Sequence, residues 1–594
     1  MRSAAWALFL AWLTHPAAAQ EDSGDAGQRL RVEVHAVADA DRTQFAPGEP
    51  LALHLSMLDL VDGQAIGGLH PAGFIRTRSS AGTTCAEAAQ ANRATGRVAL
   101  GDIDLAGVTL LVGQTDGMLA AVDPSTSLAS ANIRWLAHAQ LSGAPLVHPE
   151  SGKIVVGGEN WQAVDASDGS VSAIDGLPAG AAVLGMSADG RALFVQAPDA
   201  GDLLVFDLDR NSPIRRLPVP GKVSQVQQGA NLLAALADDG RRVLLIDTET
   251  GKTLAEHRLA AAASSLAYSP PADAFLLAGG PQLTIIHADA PDLLQQVALS
   301  GDAGRVALSA DGKSAYAFAP ESGLLSVVDL VRQTLAQALH FPEGIAAVAA
   351  THDNLVVLLA RRWVAASVST DTLKRGRSPN VTEVRLSEGG KLPGELPGPL
   401  MTAVGPVGPV LVAQPGMGEV YVMPHEAGMR APTNAIPIRG GKIGSIAVYA
   451  RRFTADGDGY RAVFSVPRPG RYEAVVSAGL FGATTCLPFA VGTPAAERAP
   501  PQLALKLPDL SARGAVIAAT VRFANAAAPP GTAVDITVIS ANDNFQDSHS
   551  ALLAADGSAQ FSLQFPHPGM FIVSATARSG QRALSRTVEQ IEIQ

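Results

Sequence analysis

The sequence predicts an all-β protein: a seven- or eight-bladed β-propeller with flanking immunoglobulin-like β-sandwich domains. Three observations predict it. An apolar, β-branched segment that ends on a polar residue recurs roughly every 40 residues between Gly101 and Met423. Turns that contain Gly and Asp bound these segments too closely for helices of ten or more residues. After about residue 431 this period ends, and a second repeat with an offset of roughly 100 residues begins, which is the length of a small sandwich.

The first repeat predicts the blades. The position that ends each apolar segment holds Asp123, Asp165, Asp207, Asp247, His287, Asp329, Ser367 and Met423. One such unit cannot bury both faces of its own small sheet, whereas radial stacking buries them and protects the edges. Seven or eight units fit this template, and the Met423 unit favours eight although an insertion precedes it. Because the acidic residue recurs, we expect it to form turn hydrogen bonds rather than a catalytic site.

Two neighbouring segments also carry a family resemblance. SADGRALFV followed by GDLLVFDLD resembles the YVTN-type secreted propellers, which are related to the cytochrome d1-like propellers and to quinoprotein amine dehydrogenase subunits. The resemblance covers about residues 101–425. It implies a propeller whose funnel could hold a non-covalent haem d1 or a quinone.

The N-terminal residues predict export. Residues 1–19 combine Arg2, a short apolar core and an Ala-x-Ala pattern before Gln20, which is typical of a cleaved signal peptide. The alternative is a buried N-terminal helix. Residues 20–29 are polar and acidic and predict a disordered tether. Residues 30–98 predict an immunoglobulin-like β segment that a later domain could complete, with a helix over 84–96 capped by Thr84.

The remaining boundaries follow from composition. We expect the propeller to span 99–430, a β-sandwich to span 431–495 and a C-terminal β-sandwich to span 500–594. Within the propeller, the basic segment 373–380 and the Pro-Gly-rich segment 391–399 predict loops on one face, either functional or disordered. The segments 455–478 and 555–577 share a turn, a strand, a Pro-Gly corner and an aromatic strand.

Charge and motifs limit the function. A net charge of −11 argues against a nucleic-acid partner, which requires a basic surface. The sequence contains no covalent haem motif, no metalloprotease motif, no nucleophile elbow and no phosphate-binding loop. After residue 19 no apolar stretch is long enough to predict a transmembrane span.

The two cysteines, Cys85 and Cys486, lie in similar settings on either side of the propeller. They either form a disulfide between the N-terminal segment and the domain after the propeller, or remain two separate buried thiols.

One cluster has the donor atoms of a metal site. Met417, Met423, His425 and Met429 lie within thirteen residues, and thioether and imidazole ligands suit copper. Ordinary packing with a loop histidine is the alternative. His287, which replaces the usual Asp, is either a structural substitution or a ligand near the rim. Asp456 to Gly459 suggests a hairpin turn rather than a calcium loop, because too few acidic ligands follow.

The sequence therefore predicts a periplasmic or secreted protein with a binding or scaffold role. One form of this prediction is an accessory to a redox system. Its partner would be a protein or a small molecule on the propeller face. The alternative is an oxidoreductase or electron-transfer component that holds haem d1 or a quinone, and copper handling is a third hypothesis.

Overall fold

The computed structural model describes residues 28–593 with gaps. Residues 1–27 and 594 are outside the description, as are 38–41, 43, 60–63, 67–70, 79–82, 96–97, 99–101, 125–131, 140, 142, 149–151, 158–159, 168, 179, 188–189, 198–200, 209, 387–397, 406–407, 425–427, 452, 467, 479–482, 493–502, 508–515, 525–530, 541–544, 555 and 580–581. The predicted signal peptide, most of the tether and His425 thus lie outside the described residues. The chain divides into two compact units: unit 1 is residues 1–106 with 452–496, and unit 2 is residues 107–451 with 497–594.

The chain begins with unit 1. Its first elements are β1 (Gln28–Ala36), β2 (Pro50–Asp59), β3 (Ala72–Thr77), α1 (Cys85–Thr95) and β4 (Ile103–Asp104). The predicted helix is confirmed, together with its cap. The Glu87 carboxylate accepts from the Thr84 amide at 2.8 Å, and the Thr84 hydroxyl accepts from the Glu87 amide at 3.3 Å. This reciprocal pair satisfies two donors that the first helical turn leaves open.

Unit 2 continues with short strands. The first half comprises β5 (Val108–Gln114), β6 (Met118–Val122), β7 (Ile133–His138), β8 (Leu146–His148), β9 (Lys153–Val156), β10 (Gln162–Asp165), β11 (Val171–Ala173), β12 (Ala182–Met186), β13 (Ala192–Gln196), β14 (Asp202–Asp207), β15 (Ser212–Pro218), β16 (Val223–Gln228), β17 (Leu232–Ala237), β18 (Arg242–Asp247) and β19 (Thr253–Arg258). The second half comprises β20 (Ser265–Ser269), β21 (Ala274–Ala278), β22 (Gly280–His287), β23 (Gln295–Ala303), β24 (Arg305–Leu308), β25 (Ser314–Phe318), β26 (Leu324–Asp329), β27 (Thr334–His340), β28 (Ile345–Ala350), β29 (Asn354–Leu359), β30 (Val364–Ser369), the 3-10 helix η1 (Thr370–Leu373), β31 (Val381–Arg385), β32 (Met401–Ala403), β33 (Val410–Gln414), β34 (Glu419–Val422), β35 (Asn434–Pro437) and β36 (Ile443–Ala450).

Within the described residues these strands form eight four-stranded antiparallel sheets, numbered here sheets 1 to 8. Sheet 1 has the order β36-β5-β6-β7, and sheets 2 to 8 take four consecutive strands each, from β8–β11 to β32–β35. The first strands of neighbouring sheets contact each other from β8 through β12, β16, β20, β24, β28, β32 and β36, and β36 contacts β8. This closed series is a β-propeller, in which each sheet buries both faces against its neighbours.

The packing explains why single sheets of this sequence are not stable alone. The second and third strands are almost wholly buried, as in β17 and β30. Polar side chains also join neighbouring sheets: the indole of Trp135 in sheet 1 donates to the Ala166 carbonyl of sheet 2 at 2.9 Å. The Gln196 amide group of sheet 3 donates to Gly221 at 3.0 Å and accepts from the Val223 amide of sheet 4 at 2.8 Å.

The repeat positions occupy equivalent places in the sheets. Asp207, Asp247 and Asp329 each pair with the first residue of the second strand of their own sheet. Sheet 7 corrects one prediction. There Ser369, not Ser367, pairs with the first residue of β29, because the apolar segment is two residues longer than the sequence pattern suggested.

The expected boundary near residue 430 also differs from the structure. β35 is the fourth strand of sheet 8, and β36 is the first strand of sheet 1, where it pairs with β5 from Ile443↔Gln114 to Ala450↔Val108. The propeller sheets thus extend to Ala450, and residues 431–495 do not make one sandwich. The period is interrupted here because sheet 1 takes its first strand, β36, from the end of the propeller segment and its other three strands, β5 to β7, from the beginning.

Unit 1 resumes with β37 (Thr454–Asp456), β38 (Gly459–Ser465), β39 (Gly470–Ala478) and β40 (Ala483–Val491). They complete two sheets, β1-β2-β38-β37 and β4-β3-β39-β40, around one apolar core. The predicted hairpin is confirmed, since Asp456 pairs with Gly459 across a two-residue turn. Cys85 at the start of α1 and Cys486 in β40 form a disulfide.

Unit 2 ends with β41 (Leu503–Lys506), β42 (Val516–Phe523), β43 (Thr532–Ser540), β44 (Gln546–Leu552), β45 (Ser558–Gln564), β46 (Gly569–Ser579) and β47 (Arg582–Ile593). They form the sheets β41-β42-β45 and β44-β43-β46-β47, which enclose an apolar core of their own. Across the described part of the chain, no helix has the length and apolar character that crossing a membrane would require.

Unit 1 contains a buried carboxyl group that makes its stability depend on pH. Burial raises the pKa of Asp102 to about 7, although the positive charge of Arg76 acts to lower it. An unfolded Asp titrates near pH ~4, so between about pH 4 and 7 folding takes up a proton and stability falls as pH rises. Above that window the loss is complete.

We therefore expect Asp102→Asn to stabilise unit 1 by about 4 kcal/mol at pH values above the window, and to have little effect near pH ~4. Urea unfolding across this pH range measures the difference. The exposed turn variant Asp458→Asn is the control. A stability gain for Asp102→Asn that does not vary with pH would contradict the assignment.

Candidate ligand-binding cleft

A cleft of about 590 Å³ lies where sheets 6 and 7 meet at the edge of the propeller. From sheet 6 it is lined by the turn after β24, by the faces of β25 to β27 and by the turn after β26. Sheet 7 contributes the turn after β28 and the segment 370–375. In each sheet these turns join the first to the second strand and the third to the fourth, so antiparallel pairing brings them to one side of the ring.

Tyr316 is the most unusual group in the cleft. Its side chain is only 2 % exposed and packs between sheets 6 and 7 with Phe318, Leu355 and Val357. Within the described residues its hydroxyl has no hydrogen-bond partner, although Tyr316 lines the cleft. Burial, together with the negative charge of Asp311, raises the pKa of Tyr316 far above its ordinary value, so the group is a neutral donor.

The other sheets provide an internal comparison for Tyr316. Strand pairing places Tyr316 opposite Val327, two residues before the end-of-strand position of sheet 6. The same position in the other seven sheets is apolar: Leu111, Val155, Phe194, Ala234, Leu276, Val356 and Val412. The Tyr316 hydroxyl faces the cleft and is not among the wholly buried polar atoms that lack a partner. The other seven sheets pack well without a hydroxyl at this position, so packing does not explain Tyr316.

The charged groups that line the cleft are mostly paired with each other. Arg332 donates to Asp329 at 2.8 Å, and Lys374 contacts Asp371 at 2.6 Å. Arg375, which is exposed, has no ion pair or hydrogen bond among the residues that the structure describes. Arg375 is therefore available to a bound molecule without breaking an internal contact.

Asp311 is held within its own turn. The Ser309 hydroxyl donates to it at 2.6 Å, and the Lys313 amide donates at 3.1 Å. Burial alone would raise the pKa of Asp311, but these hydrogen bonds and the charges of Lys313 and His352 lower it overall. The carboxylate stays ionised and compensated at neutral pH.

The recurring acidic residues have the structural role that the sequence predicts. The carboxylates of Asp165, Asp207 and Asp247 accept from backbone amides two or three residues further on, at 2.8, 2.9 and 2.6 Å. Asp329 does the same with the amide of Arg332 at 3.0 Å. These bonds shape the turns that border the cleft side of the ring.

His287 also has a structural role. One ring nitrogen, Nδ1, lies 3.2 Å from the Ala272 carbonyl, and Nε2 lies 3.0 Å from the Gln333 amide nitrogen. The neutral tautomer with a proton on Nδ1 satisfies both contacts, and the second joins sheet 5 to the turn after β26. Both nitrogens are engaged, so His287 is not a free ligand at the rim.

The proposed copper ligands do not converge in the structure. Met423 is 1 % exposed and belongs to the core between sheets 7, 8 and 1, whereas Met417 and Met429 are exposed. Met417 and Met423 lie at opposite ends of β34, which separates them by roughly 15 Å. His425 lies outside the described residues. No group of three or more His, Cys, Asp or Glu side chains in the described ranges is arranged to hold a metal ion.

Sequence reasoning missed Tyr316 and Arg375, and each left a signal. Aligning the second strands of the repeat would have shown one tyrosine among seven apolar residues. Arg375 lies in the basic segment 373–380, which is exposed as predicted except for Leu373 and the half-buried Pro379. The sequence placed this segment after the seventh unit, but it joins the third and fourth strands of sheet 7. Most of 391–399 lies outside the described residues.

Comparisons with known proteins give similarity of fold at low identity. Dihydro-haem d1 dehydrogenase NirN in complex with DHE is 16 % identical, with a TM-score of 0.45 over 58 % of this chain and 75 % of that chain. Hydrazine synthase from Kuenenia stuttgartiensis is 15 % identical, with a TM-score of 0.33 over 52 % of this chain and 95 % of that chain. BamB from Moraxella catarrhalis is 13 % identical, with a TM-score of 0.35 over 53 % of this chain and 88 % of that chain. No protein-family model and no curated protein sequence matches the chain.

Proposed function

We propose that this chain is an exported binding protein built on an eight-bladed β-propeller, which takes a small ligand into the cleft between its sixth and seventh blades. The blades are sheets 1 to 8, and immunoglobulin-like sandwiches flank them. Its site of action would be the periplasm or the extracellular space. The role is binding or scaffolding rather than catalysis. The hydroxyl–carboxylate pair of the cleft, Ser309 with Asp311, is engaged within its own turn, where Ser309 also accepts from the Ser314 amide at 2.9 Å and Asp311 from the Lys313 amide at 3.1 Å.

The unpartnered hydroxyl of Tyr316 is the observation that carries this proposal. Seven sheets show that an apolar side chain satisfies the packing at this position, so packing gives no reason for the hydroxyl. Departures from the pattern of a repeat that have no structural reason are expected at functional sites. A cleft of about 590 Å³ has the volume of an ordinary small-molecule site.

The immunoglobulin-like description is supported by a corner in unit 1. The hydroxyl of Tyr472 in β39 donates to the Arg468 carbonyl at 2.9 Å, just after the chain crosses from one sheet to the other. A tyrosine that bonds back to the preceding corner is a hallmark of immunoglobulin-like sandwiches. In the C-terminal sandwich, Phe571 of β46 follows a similar crossing from β45.

Export is supported by two observations. The N-terminal residues have the composition of a signal peptide, and the Cys85–Cys486 disulfide requires an oxidising compartment.

The Tyr316→Phe variant tests the proposed function. We expect it to be as stable as the wild type or slightly more stable, since the equivalent position in sheet 3 is Phe194 and an unpaired hydroxyl is removed. A metabolite library screened by ligand-observed NMR is expected to give a wild-type binder whose affinity falls about tenfold in the variant, the loss of one good hydrogen bond.

Tyr268→Phe is the matched control, because its hydroxyl donates to Asp273 at 2.6 Å outside the cleft. It should lose about 1 kcal/mol of stability and keep the affinity. Binders whose affinity is the same in the wild type and in Tyr316→Phe, or a clearly destabilised Tyr316→Phe protein, would refute the proposal.

The alternative of a bound haem d1 or quinone has a simple test. Protein purified from its native host would show a Soret or quinone absorption band if it held either group. A protein band alone would favour the binding protein.

A further inference from the structure

We infer that the molecule bound in the cleft is a small anion whose carboxylate or phosphate oxygens accept from Tyr316 and Arg375. This inference rests on the proposed binding role of the cleft and adds the chemical class of the ligand.

The balance of donors and acceptors supports an anion. Tyr316 and Arg375 both reach the cleft as donors without an acceptor in the described part of the chain. The carboxylates that line the cleft are already engaged, Asp329 by Arg332 and Asp371 by Lys374. A ligand must therefore supply acceptors. Ionised oxygens form the stronger bonds to a guanidinium, about twice the strength of neutral ones.

Desolvation separates an anion from a neutral ligand. Arg375 is solvated in the free protein, and any ligand that fills the cleft against it removes part of that water. A neutral molecule leaves the guanidinium charge without compensation, which is costly, whereas a carboxylate or phosphate replaces the lost solvation with an ion pair. The neutral hydroxyl of Tyr316, whose pKa is raised by burial, adds a donor without adding charge.

The local charge agrees with this choice. The four turns that border the cleft contain five cationic residues and four carboxylates: Lys313, Arg332, Lys374, Arg375 and Arg377 against Asp311, Asp329, Asp353 and Asp371. The local balance is thus slightly positive in a chain whose net charge is −11. An anion meets less repulsion here than over most of the surface.

Isothermal titration with three probes tests the inference: inorganic phosphate, citrate and glucose. We expect phosphate or citrate to bind the full-length wild-type protein saturably, and binding to weaken as salt is raised. Arg375→Gln should weaken that binding at least tenfold, and Tyr316→Phe should weaken it less. The relative affinities of phosphate and citrate identify which oxyanion the cleft prefers. Arg258→Gln is the matched control, because Arg258 is an exposed arginine on β19 away from the cleft.

The outcomes separate this inference from the proposed function. Equal anion binding by the wild type and both cleft variants would mean an adventitious ion only, and would overturn the inference. Glucose or a neutral library compound whose affinity depends on Tyr316 but not on Arg375 would overturn the anion and keep the binding role. If no probe or library compound binds in a Tyr316-dependent way, both proposals fail.

Discussion

Gly240→Ala is expected to lower the free energy of unfolding of the propeller by about 3–4 kcal/mol. Gly240 lies in the turn between β17 and β18 with φ +83°, a region that alanine adopts only at a cost. Its carbonyl accepts from the Ala263 amide at 2.8 Å, which ties sheet 4 to the connection into sheet 5. A Cβ atom at this position would clash with the Ala263 carbonyl oxygen, because the two atoms would lie far closer together than their van der Waals radii allow. Differential scanning calorimetry of the propeller transition measures the change.

Gly376→Ala separates the two causes. Gly376 also has a left-handed φ of +81°, but a Cβ there meets no atom within 4 Å. The Gly376 variant should therefore lose only the backbone cost of about 1–2 kcal/mol. Equal losses for the two variants would show that the close approach between sheets 4 and 5 contributes nothing.

Removal of the disulfide is expected to have the second large effect. The Cys85→Ala/Cys486→Ala double variant should destabilise unit 1 by about 2–5 kcal/mol. The bond joins residues 401 positions apart and fastens α1 to β40, the last strand of its sheet, beside the small core of Phe74, Ala89 and Val475. Calorimetry should show the unit 1 transition at a lower temperature.

The propeller transition of the same sample is the internal control, since neither cysteine belongs to it. A reducing agent added to the wild type should reproduce the shift. If reduction leaves both transitions unchanged, the bond does not contribute to stability in the native protein.

Much of the fold could be predicted from the sequence because it is periodic. The turns after Asp207, Asp247 and Asp329 repeat the same local chemistry. Each turn marks the end of the third strand of a sheet, and their regular spacing predicts the propeller. The helix at Cys85 was predictable for a similar reason, since Thr84 and Glu87 form a local cap. The strand that closes the ring was not, because β36 has no Asp turn and its partner β5 lies more than 300 residues earlier.

The candidate site was less accessible from the sequence. The clustered methionines predicted a copper site because their thioether sulfurs are possible ligands, yet the Met423 side chain packs in the apolar core next to sheet 8. Tyr316 looked like an ordinary aromatic residue of a strand. An alignment of the second strands shows that it is the one tyrosine among eight equivalent positions. The structure adds that its side chain is buried and that its hydroxyl has no protein partner among the described residues.

The order of the strands has a consequence for biosynthesis. Sheet 1 lacks its first strand until Ile443–Ala450 emerges from the ribosome, and the two sheets of unit 1 lack half their strands until Val491 follows. Long-range pairing of this kind is slow, and strand edges that have not yet found their partner strands are prone to aggregate. The nascent chain must therefore remain protected through most of its synthesis, and truncation before Ala450 should yield a protease-sensitive product rather than a smaller stable ring.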